Sequence, residues 1–185
     1  MMNFNEKTLH KESIYEGRIV DVSVHDVELP NGKTSKREII NHPGAVAIIA
    51  VTSENKIVMV RQFRKALEKE LLEIPAGKLE ENEEPENSAA RELEEETGYK
   101  TNQLTKVTSF YTSPGFADEI IHVYETDQLF EGVTYTDEDE FVELVEVTLD
   151  EAESLIKEEK IHDAKTIFAV HHIKQQRAQA NLKND

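Results

Sequence analysis

A continuous apolar run at residues 44–51, Gly-Ala-Val-Ala-Ile-Ile-Ala-Val, sets the strongest limit on the fold. A strand that is apolar at every position buries both of its faces, so it needs packed layers on either side. Residues 56–63 form a second strand-like segment, and we expect the two segments to be adjacent core strands. The sequence therefore predicts a layered domain around a central sheet.

The other elements follow in an order typical of an α+β protein. Alternating valines within residues 18–28, followed by the turn sequence Pro30-Asn31-Gly32, predict a hairpin. A helix is predicted at 87–97, because Pro85 suits its first turn and Gly98 ends it. Further strands are predicted at 104–111, 120–125 and 141–147, and further helices at about 149–159 and 164–180. Because regular βαβ alternation is missing, we expect an α+β fold layered around a mixed β-sheet.

Composition limits the classes of partner. The 185 residues carry a formal net charge of −17, which repels nucleic-acid backbones and anionic lipids, so we expect neither nucleic acid nor membrane as a partner. Long apolar segments, signal-peptide order and cysteines are all missing, so we expect a cytoplasmic protein. The same charge repels phosphate compounds, so a phosphate-bearing substrate would need divalent cations held by carboxylates.

Three glutamates on the predicted helix supply such carboxylates. Glu92, Glu95 and Glu96 are spaced i, i+3 and i+4, so on a helix they share one face within about 5–6 Å of each other. An acidic run of this kind is more often an ordinary solvated surface. Here Gly77 permits a tight loop and Gly98 closes the helix, which favours a loop–helix–loop cassette. Oxygen ligands without sulfur favour Mg²⁺, or Mn²⁺, over zinc.

The spacing of residues 77–99 resembles the Nudix box, the motif of the Nudix hydrolase family. The motif has the form Gly-x5-Glu-x7-Arg-Glu-apolar-x-Glu-Glu-x-Gly-apolar, and its fixed positions are matched by Gly77, Glu83, Arg91, Glu92, Leu93, Glu95, Glu96, Gly98 and Tyr99. The resemblance implies an α/β/α layered Nudix fold with a mixed β-sheet between helices. It also implies hydrolysis of a nucleoside diphosphate linked to another group, with Glu83 and Arg91 as supports of the cassette.

The resemblance further implies the metal ligands. Glu92 and Glu96 resemble the principal ligands, and Glu95 resembles a further ligand or a base. The carbonyl oxygen of Ala76 resembles an additional ligand. Two or three Mg²⁺ ions held in this way would bind the pyrophosphate and activate a water molecule.

The general base is expected in the acidic segment 137–140, just before the predicted strand at 141–147. Such a segment is ordinarily a solvated loop. The family, however, has a mobile loop here whose glutamate activates water. Glu140 is our first choice for that residue because it immediately precedes the strand, and Glu138 is the second.

Residues beyond the box indicate the substrate. Pro114 lies fifteen positions past Tyr99, a spacing found in the branch of the family that acts on ADP-ribose. A Pro-Gly pair is otherwise often only a turn. Over roughly residues 12–175 the chain resembles the bacterial ADP-ribose pyrophosphatases, including the segments Leu72–Gly77 and Lys160–Ala164. This resemblance implies hydrolysis of ADP-ribose to AMP and ribose 5-phosphate.

The same resemblance implies the substrate contacts. Arg64 resembles an arginine that contacts phosphate, and Glu119 resembles a glutamate that touches the substrate. Arg37 and Ile19 resemble residues that border the adenine. Guanidinium groups match phosphate oxygens bidentately, although either arginine alone is as often part of a surface ion pair.

The chain is expected to have two parts. Residues 1–42 would form an N-terminal strand region with a β-hairpin extension, and residues 43–180 would form the Nudix hydrolase domain. Related enzymes use the N-terminal region to pair with a second subunit. The resemblance therefore implies a homodimer whose adenine sites borrow residues across the interface.

Three alternatives stay open. The substrate could be another nucleoside diphosphate-sugar, such as an ADP-sugar or GDP-sugar, or a dinucleoside polyphosphate, although the position of Pro114 argues against the last. The chain could be a non-catalytic nucleotide-sensing module, but such a module need not keep every carboxylate of the box. A purely structural acidic protein would show no magnesium-dependent change in heat stability.

Overall fold

The computed structural model describes residues 3–133 and 141–184. Its internal contacts divide the chain into two compact units, which we call the N-terminal unit and the main unit. The N-terminal unit comprises Met1–Gly44 and Ser109–Ile121, and the main unit comprises Ala45–Thr108 and His122–Asp185.

The N-terminal unit contains three consecutive antiparallel strands in the order β1-β2-β3. These strands are β1 (Lys7–Glu16), β2 (Asp21–Glu28) and β3 (Thr34–Asn41). The turn between β2 and β3 contains Gly32, whose φ is 77° and whose amide donates to the carbonyl of Leu29 over 2.9 Å. The predicted hairpin is therefore confirmed. Strand β1 was not predicted, because all ten of its residues are exposed and show no apolar alternation.

The strands of the main unit fall into three sheets within the described residues. In chain order they are β4 (Ala45–Ala50), β5 (Ile57–Arg64), β6 (Lys69–Glu73), β7 (Ala76–Lys78), β8 (Tyr99–Lys100), β9 (Thr105–Tyr111), β10 (Ile120–Thr126), β11 (Phe130–Glu131) and β12 (Val142–Val147). The sheet orders are β7-β4-β10-β9, β12-β5-β6 and β11-β8, and β9 and β10 each cross the boundary between the units. The predicted strands at 104–111, 120–125 and 141–147 are confirmed.

The central apolar run forms β4, as predicted, and residues 46–50 are fully or almost fully buried. The prediction that β5 would be its neighbour in the sheet was wrong. Strand β4 is hydrogen-bonded to β7 and β10, and in the described chain it is linked to β5 only by an isolated bridge between Val51 and Ile57. Because both edges of β4 are already paired, β5 begins a second sheet with β6 and β12.

The described residues contain three α-helices, which are α1 (Pro85–Thr97), α2 (Leu149–Lys157) and α3 (Ala164–Asn184). Helix α2 begins with the predicted capping box, in which the Thr148 hydroxyl accepts from the Glu151 amide and the Glu151 carboxylate accepts from the Thr148 amide. Helix α3 begins where predicted and continues about a turn beyond the expected end near residue 180. In the described part of the chain, no helix combines the length and the apolar character needed to cross a membrane.

Helix α1 packs against β4 and β7, and α2 packs against α3. The core cluster that includes α1 and β4 consists of Val46, Ile48, Ala50, Val58, Ala89, Leu93 and Tyr124. Helices that pack on sheets without βαβ alternation confirm the predicted α+β class. The same packing places the helix that carries the glutamates directly against the central strand.

Candidate active site

Helix α1 presents two of its glutamates to the interior. Pro85 is its first residue, and Gly98 ends it with a φ of 72° and an amide that donates to the carbonyl of Glu94 over 2.8 Å. Glu92 and Glu96 are only 8% and 2% exposed. Because a buried carboxylate is costly without polar partners, the groups around these two side chains decide what the site can do.

Strand β7 contacts both buried carboxylates, and Gly77 lies within this strand rather than in the predicted tight loop. The amide of Ala76 donates to Glu96 Oε2 over 3.0 Å. A Cβ added to Gly77 would overlap the carboxylate of Glu92. Only glycine therefore lets β7 approach α1 this closely, which gives the box glycine a steric reason.

The guanidinium of Arg91 joins Glu92 to two further carboxylates, Glu83 and Glu95. Its Nε and Nη2 donate to the two oxygens of Glu83 over 3.0 and 2.9 Å. Its Nη1 donates to Glu92 Oε1 over 2.9 Å and to Glu95 Oε2 over 2.8 Å. The hydrogen bond from Arg91 holds the pKa of Glu83 below its usual value, and the bond to Glu83 is the main cause that raises the pKa of Arg91. Like charges on one helical face are thus offset by an internal cation.

The donor chemistry of this cassette fits a hard divalent cation. Three carboxylates, Glu83, Glu92 and Glu95, share the Arg91 guanidinium, and the fourth, Glu96, accepts from the Ala76 amide, so the cassette keeps an excess of negative charge. Among the described residues, no three histidine or acidic side chains are grouped closely enough to hold a metal ion. The carboxylates are instead bonded to Arg91 and to the Ala76 amide. Charge and oxygen donors therefore suit a cation such as Mg²⁺, while the side chains are arranged around Arg91.

Arg64, at the end of β5, forms a two-point ion pair with Glu73. Its Nε and Nη2 donate to Glu73 Oε1 and Oε2 over 2.7 and 2.8 Å. Burial alone would raise the pKa of Glu73, but the hydrogen bond from Arg64 and the charge of Lys165 outweigh it and lower the pKa to about 2. Glu73 is therefore a buried and ionised carboxylate.

Helix α3 supplies the other partners of this ion pair. The Lys165 ammonium contacts Glu73 Oε2 and donates to Asp163 Oδ1 over 2.9 Å. The Thr166 hydroxyl accepts from the amide of Ile74 over 3.0 Å. Glu73 and Asp163 lie in segments that resemble the family, but the sequence predicted no role for either residue. A charged residue within the apolar run Leu71–Ile74 is the signal that could have found Glu73.

In the N-terminal unit, Arg37 and Ile19 lie in different surroundings. Arg37 on β3 pairs with Glu6, with its Nε and Nη2 donating over 2.8 and 2.6 Å, and its Nη1 donates to the hydroxyl of Ser35 over 3.1 Å. Ile19 lies between β1 and β2 and is 48% exposed, so it is not a core residue. Arg37 is thus held in an ion pair, and Ile19 offers an apolar surface to solvent.

Pro114 and Glu119 lie on one loop of the N-terminal unit. The loop is closed by the Thr112 amide, which donates to the carbonyl of Glu119 over 3.2 Å. The Thr112 hydroxyl donates to Glu119 Oε2 over 2.5 Å, and His42 Nε2 lies 3.8 Å from Glu119 Oε1. The structure therefore brings together these two predicted substrate contacts. The proposed bases Glu138 and Glu140 lie outside the described residues.

Comparison with family models agrees with the box. Residues 41–170 match the NUDIX domain, and residues 6–40 match the nucleoside diphosphate sugar hydrolase N-terminal domain. The matched Nudix segment spans more than half of the chain and contains the whole cassette. The chain therefore belongs to the Nudix family, as the box residues predicted.

Individual relatives match over nearly the whole length. A protein of Bacillus subtilis (strain 168) named ADP-ribose pyrophosphatase is 58% identical over 175 residues, covering 94% of this chain and 95% of the relative. A protein of Bacillus methanolicus named Methanol dehydrogenase activator is 60% identical over 177 residues, covering 95% and 96%. A crystal structure of an ADP compounds hydrolase has a TM-score of 0.82 at 21% identity, covering 94% of this chain and 95% of that one. The structural likeness supports the fold.

Proposed function

We propose that this Nudix protein hydrolyses the pyrophosphate of ADP-ribose to AMP and ribose 5-phosphate. The observation that carries the proposal is the cassette at residues 77–98, in which Glu83, Glu92 and Glu95 share one guanidinium and only glycine fits beside Glu92 at position 77. The 58% identical relative named ADP-ribose pyrophosphatase supports this substrate over other nucleoside diphosphate-sugars.

The proposed cofactor is Mg²⁺, with Mn²⁺ as the second choice. Glu92, Glu95, Glu96 and the carbonyl oxygen of Ala76 would hold it. When bound, it would neutralise the pyrophosphate and lower the pKa of a bound water molecule. The oxygen-only donors and the excess negative charge of the cassette support a hard cation over a softer metal.

The chain's own side chains would bind and activate the reactants. Arg64 would bind a phosphate oxygen, because its guanidinium combines charge with directed donors. Glu140 would orient or deprotonate the attacking water for in-line attack on phosphorus, with Glu138 as the second choice for this role and Glu95 as the third. Glu119 and Pro114, which share a loop, would contact the substrate.

The N-terminal unit would contribute the adenine contacts and the subunit contact. Arg37 and Ile19 would border the adenine, and Arg37 would then have to share its guanidinium with Glu6 or release it. We further propose a homodimer formed through the N-terminal unit and a cytoplasmic location. The net charge of −17 supports a small-molecule substrate over nucleic acid or an anionic membrane.

A substrate panel with Mg²⁺ tests the proposal. ADP-ribose, an ADP-hexose, GDP-mannose and a dinucleoside tetraphosphate would be compared, with the nucleoside monophosphate and the sugar phosphate both measured. We expect ADP-ribose to give the highest kcat/KM and to yield AMP and ribose 5-phosphate in equal amounts. If another compound gave a higher kcat/KM, that compound would be the preferred substrate and the proposal of ADP-ribose would be wrong.

The matched control for the panel is Glu96→Gln. The change keeps the side-chain size and an oxygen that can accept from the Ala76 amide, but it removes a charge needed to hold a cation. We expect a loss of at least about a hundredfold in kcat with an unchanged fold by circular dichroism. Activity within threefold of wild type at limiting Mg²⁺ would show that Glu96 is not a principal ligand.

A second candidate function is activation of an alcohol dehydrogenase. It is favoured by the 60% identical relative named Methanol dehydrogenase activator, which this chain matches over 95% of its length. The test adds the purified protein to a methanol dehydrogenase and measures the rate of alcohol oxidation, with Glu96→Gln as control. Stimulation by the wild type but not by Glu96→Gln would link activation to the hydrolase site, and no stimulation would remove this candidate.

A non-catalytic nucleotide-sensing module would bind ADP-ribose without turnover in the substrate panel.

A further inference from the structure

The carboxylate of Glu73 occupies one edge of the Arg64 guanidinium. Nε and Nη2 each donate to a different oxygen, so the contact fixes both the plane and the direction of the group. The Nη1 edge is the part that Glu73 does not use. The Arg64 side chain is 40% exposed and that of Glu73 is 2% exposed. A buried anchor thus holds a cation that reaches the surface.

The anchor is itself fixed by α3. Oε2 of Glu73 accepts from both Arg64 and Lys165, and Lys165 in turn donates to Asp163 at the start of α3. The neighbouring residue Ile74 is tied to the same helical turn through the hydroxyl of Thr166. The carboxylate cannot rotate without breaking bonds to two cations, so its orientation is set by β6 and α3 together.

Orientation is what the ion pair adds to Arg64. Lys165 is bonded to both Glu73 and Asp163, so its own charge is already balanced and its contribution is to hold the Glu73 carboxylate in place. An arginine that is already oriented loses less conformational freedom when it binds.

We propose that Glu73 is a positioning residue that holds the Arg64 guanidinium in the orientation that binds the substrate phosphate, with Lys165 as the partner that keeps Glu73 in place. The inference rests on the proposed role of Arg64 in phosphate binding. It gives a role to Glu73, in the segment Leu72–Gly77, and to Lys165, which directly follows the segment Lys160–Ala164. The chain from Glu73 continues directly to Ala76, whose amide bonds to Glu96.

A double-mutant cycle tests whether Glu73 acts through Arg64. Arg64→Ala is expected to lower kcat/KM roughly tenfold to a hundredfold, the usual range for a charged hydrogen bond to phosphate. Glu73→Gln should lower it roughly fivefold or more, because the guanidinium is no longer directed. The double variant should lie within about threefold of Arg64→Ala, since the two changes remove one interaction. Losses that multiply would overturn the proposal.

The matched control is Glu146→Gln, on β12 of the same three-stranded sheet. Glu146 contacts Tyr99 and Lys56 and does not touch Arg64. We expect this variant to keep kcat/KM within about twofold of wild type, whether alone or combined with Arg64→Ala. A loss equal to that of Glu73→Gln would mean that removing any partly buried carboxylate from this sheet has the same effect, which contradicts a positioning role.

A measurement without substrate separates this proposal from the proposed function. The ¹⁵N NMR signal of Arg64 Nε–H, assigned by its loss in Arg64→Lys, should exchange with water at least about tenfold faster in Glu73→Gln, because the two-point bond is gone. Equal exchange rates would overturn the positioning role. If ADP-ribose is not hydrolysed, the proposed substrate fails, while the NMR result still decides whether Glu73 orients Arg64, and the cycle is run on the panel compound that is turned over.

Arg64→Lys gives an independent test if Glu73→Gln does not fold. Lysine keeps the positive charge but cannot form the planar two-point contact. We expect its kcat/KM to be closer to that of Arg64→Ala than to that of wild type. A value closer to wild type would show that charge alone is sufficient and would overturn the proposal.

Discussion

Arg91 and Gly77 position the Glu92 carboxylate in different ways. Arg91 attracts Glu92 through a 2.9 Å hydrogen bond, whereas Gly77 makes room for it by having no side chain. Glu95, three positions further along the helix, shares the same guanidinium nitrogen over 2.8 Å. The spacing of the box residues therefore reflects both electrostatics and steric fit.

Gly77→Ala should disturb the site through a single methyl group. The new Cβ would overlap the Glu92 carboxylate, so either β7 or Glu92 must move, at a cost of roughly 1–3 kcal/mol in the free energy of unfolding. Urea denaturation followed by circular dichroism measures this cost, and kcat/KM should fall with it. The stability control is Gly115→Ala, where an added Cβ meets no described atom within 4 Å. Equal stability of the two variants would contradict the steric argument.

The choice between Glu140 and Glu138 can be decided by kinetics. If Glu140 is the base, Glu140→Gln should keep metal-dependent binding of a non-hydrolysable ADP-ribose analogue and lower kcat by about 10²–10⁴. Glu138→Gln should have a much smaller effect, because a residue two positions earlier cannot occupy the same place against phosphorus. Loss of activity in Glu138→Gln alone would shift the assignment by two residues. Full activity in both would move the base into the box, with Glu95 as the first residue to test.

Strand β6 and helix α3 are joined by an ion pair whose strength depends on pH. The pKa of Glu73 is lowered from 4.5 to about 2, which corresponds to up to about 3 kcal/mol of stability at about 1.4 kcal/mol per unit. Because the folded pKa is the lower one, this stability is present above pH 4.5 and is lost as the pH falls toward 2. More than half of it should be gone by pH 3.

The pH prediction is tested by comparing wild type with Glu73→Gln. The difference in their free energies of unfolding, measured by urea denaturation at pH 6, 5, 4 and 3, should shrink as the pH falls. Other carboxylates titrate in both proteins, so the difference isolates Glu73. A difference that stays constant from pH 6 to pH 3 would show that Glu73 is not held ionised by Arg64 and Lys165.

Elements with local signals could be predicted from the sequence, and those set by distant partners could not. Pro85 and Gly98 bound α1, and Thr148 with Glu151 begins α2, because caps are formed by residues a few positions apart. Strand β1 has no buried face, so apolar alternation could not identify it. The separation of β4 from β5 depends on which strands occupy the edges of β4, and that is a tertiary choice.

The predicted site follows the same rule. The spacing of Glu92, Glu95 and Glu96 on one helix could be read directly from the sequence. The role of Gly77 could not, because the sequence predicted a tight loop there, whereas the residue lies in β7 against the Glu92 carboxylate. The contact between Glu73 and Lys165 joins residues 92 positions apart, so no local pattern reveals it. That Arg91 would serve as the internal cation between Glu92 and Glu95 also required the structure, because a helix offers an arginine several neighbours.

At the scale of the whole molecule, an acidic chain also exposes apolar side chains. The net charge of −17 opposes the association of copies by repulsion. Strand β1 nevertheless lies at the edge of its sheet, and its residues Leu9, Ile14 and Tyr15 are each more than half exposed. An unpaired edge with exposed apolar groups is a site that proteins normally cover or pair. This feature supports the proposal that a second copy of the chain packs against β1.

The homodimer is tested by light scattering after size-exclusion chromatography. Wild type should have a mass of about 42 kDa, twice the chain mass of 21.1 kDa, at micromolar concentration. The double variant Leu9→Glu with Ile14→Glu should be a monomer, because charges on the edge strand oppose its burial and repel the matching charges of a partner. Leu182→Glu makes the same change at an exposed apolar residue near the end of α3 and should leave the dimer intact. A monomeric wild type, or a dimer that persists in the double variant, would mean that β1 does not form the subunit contact.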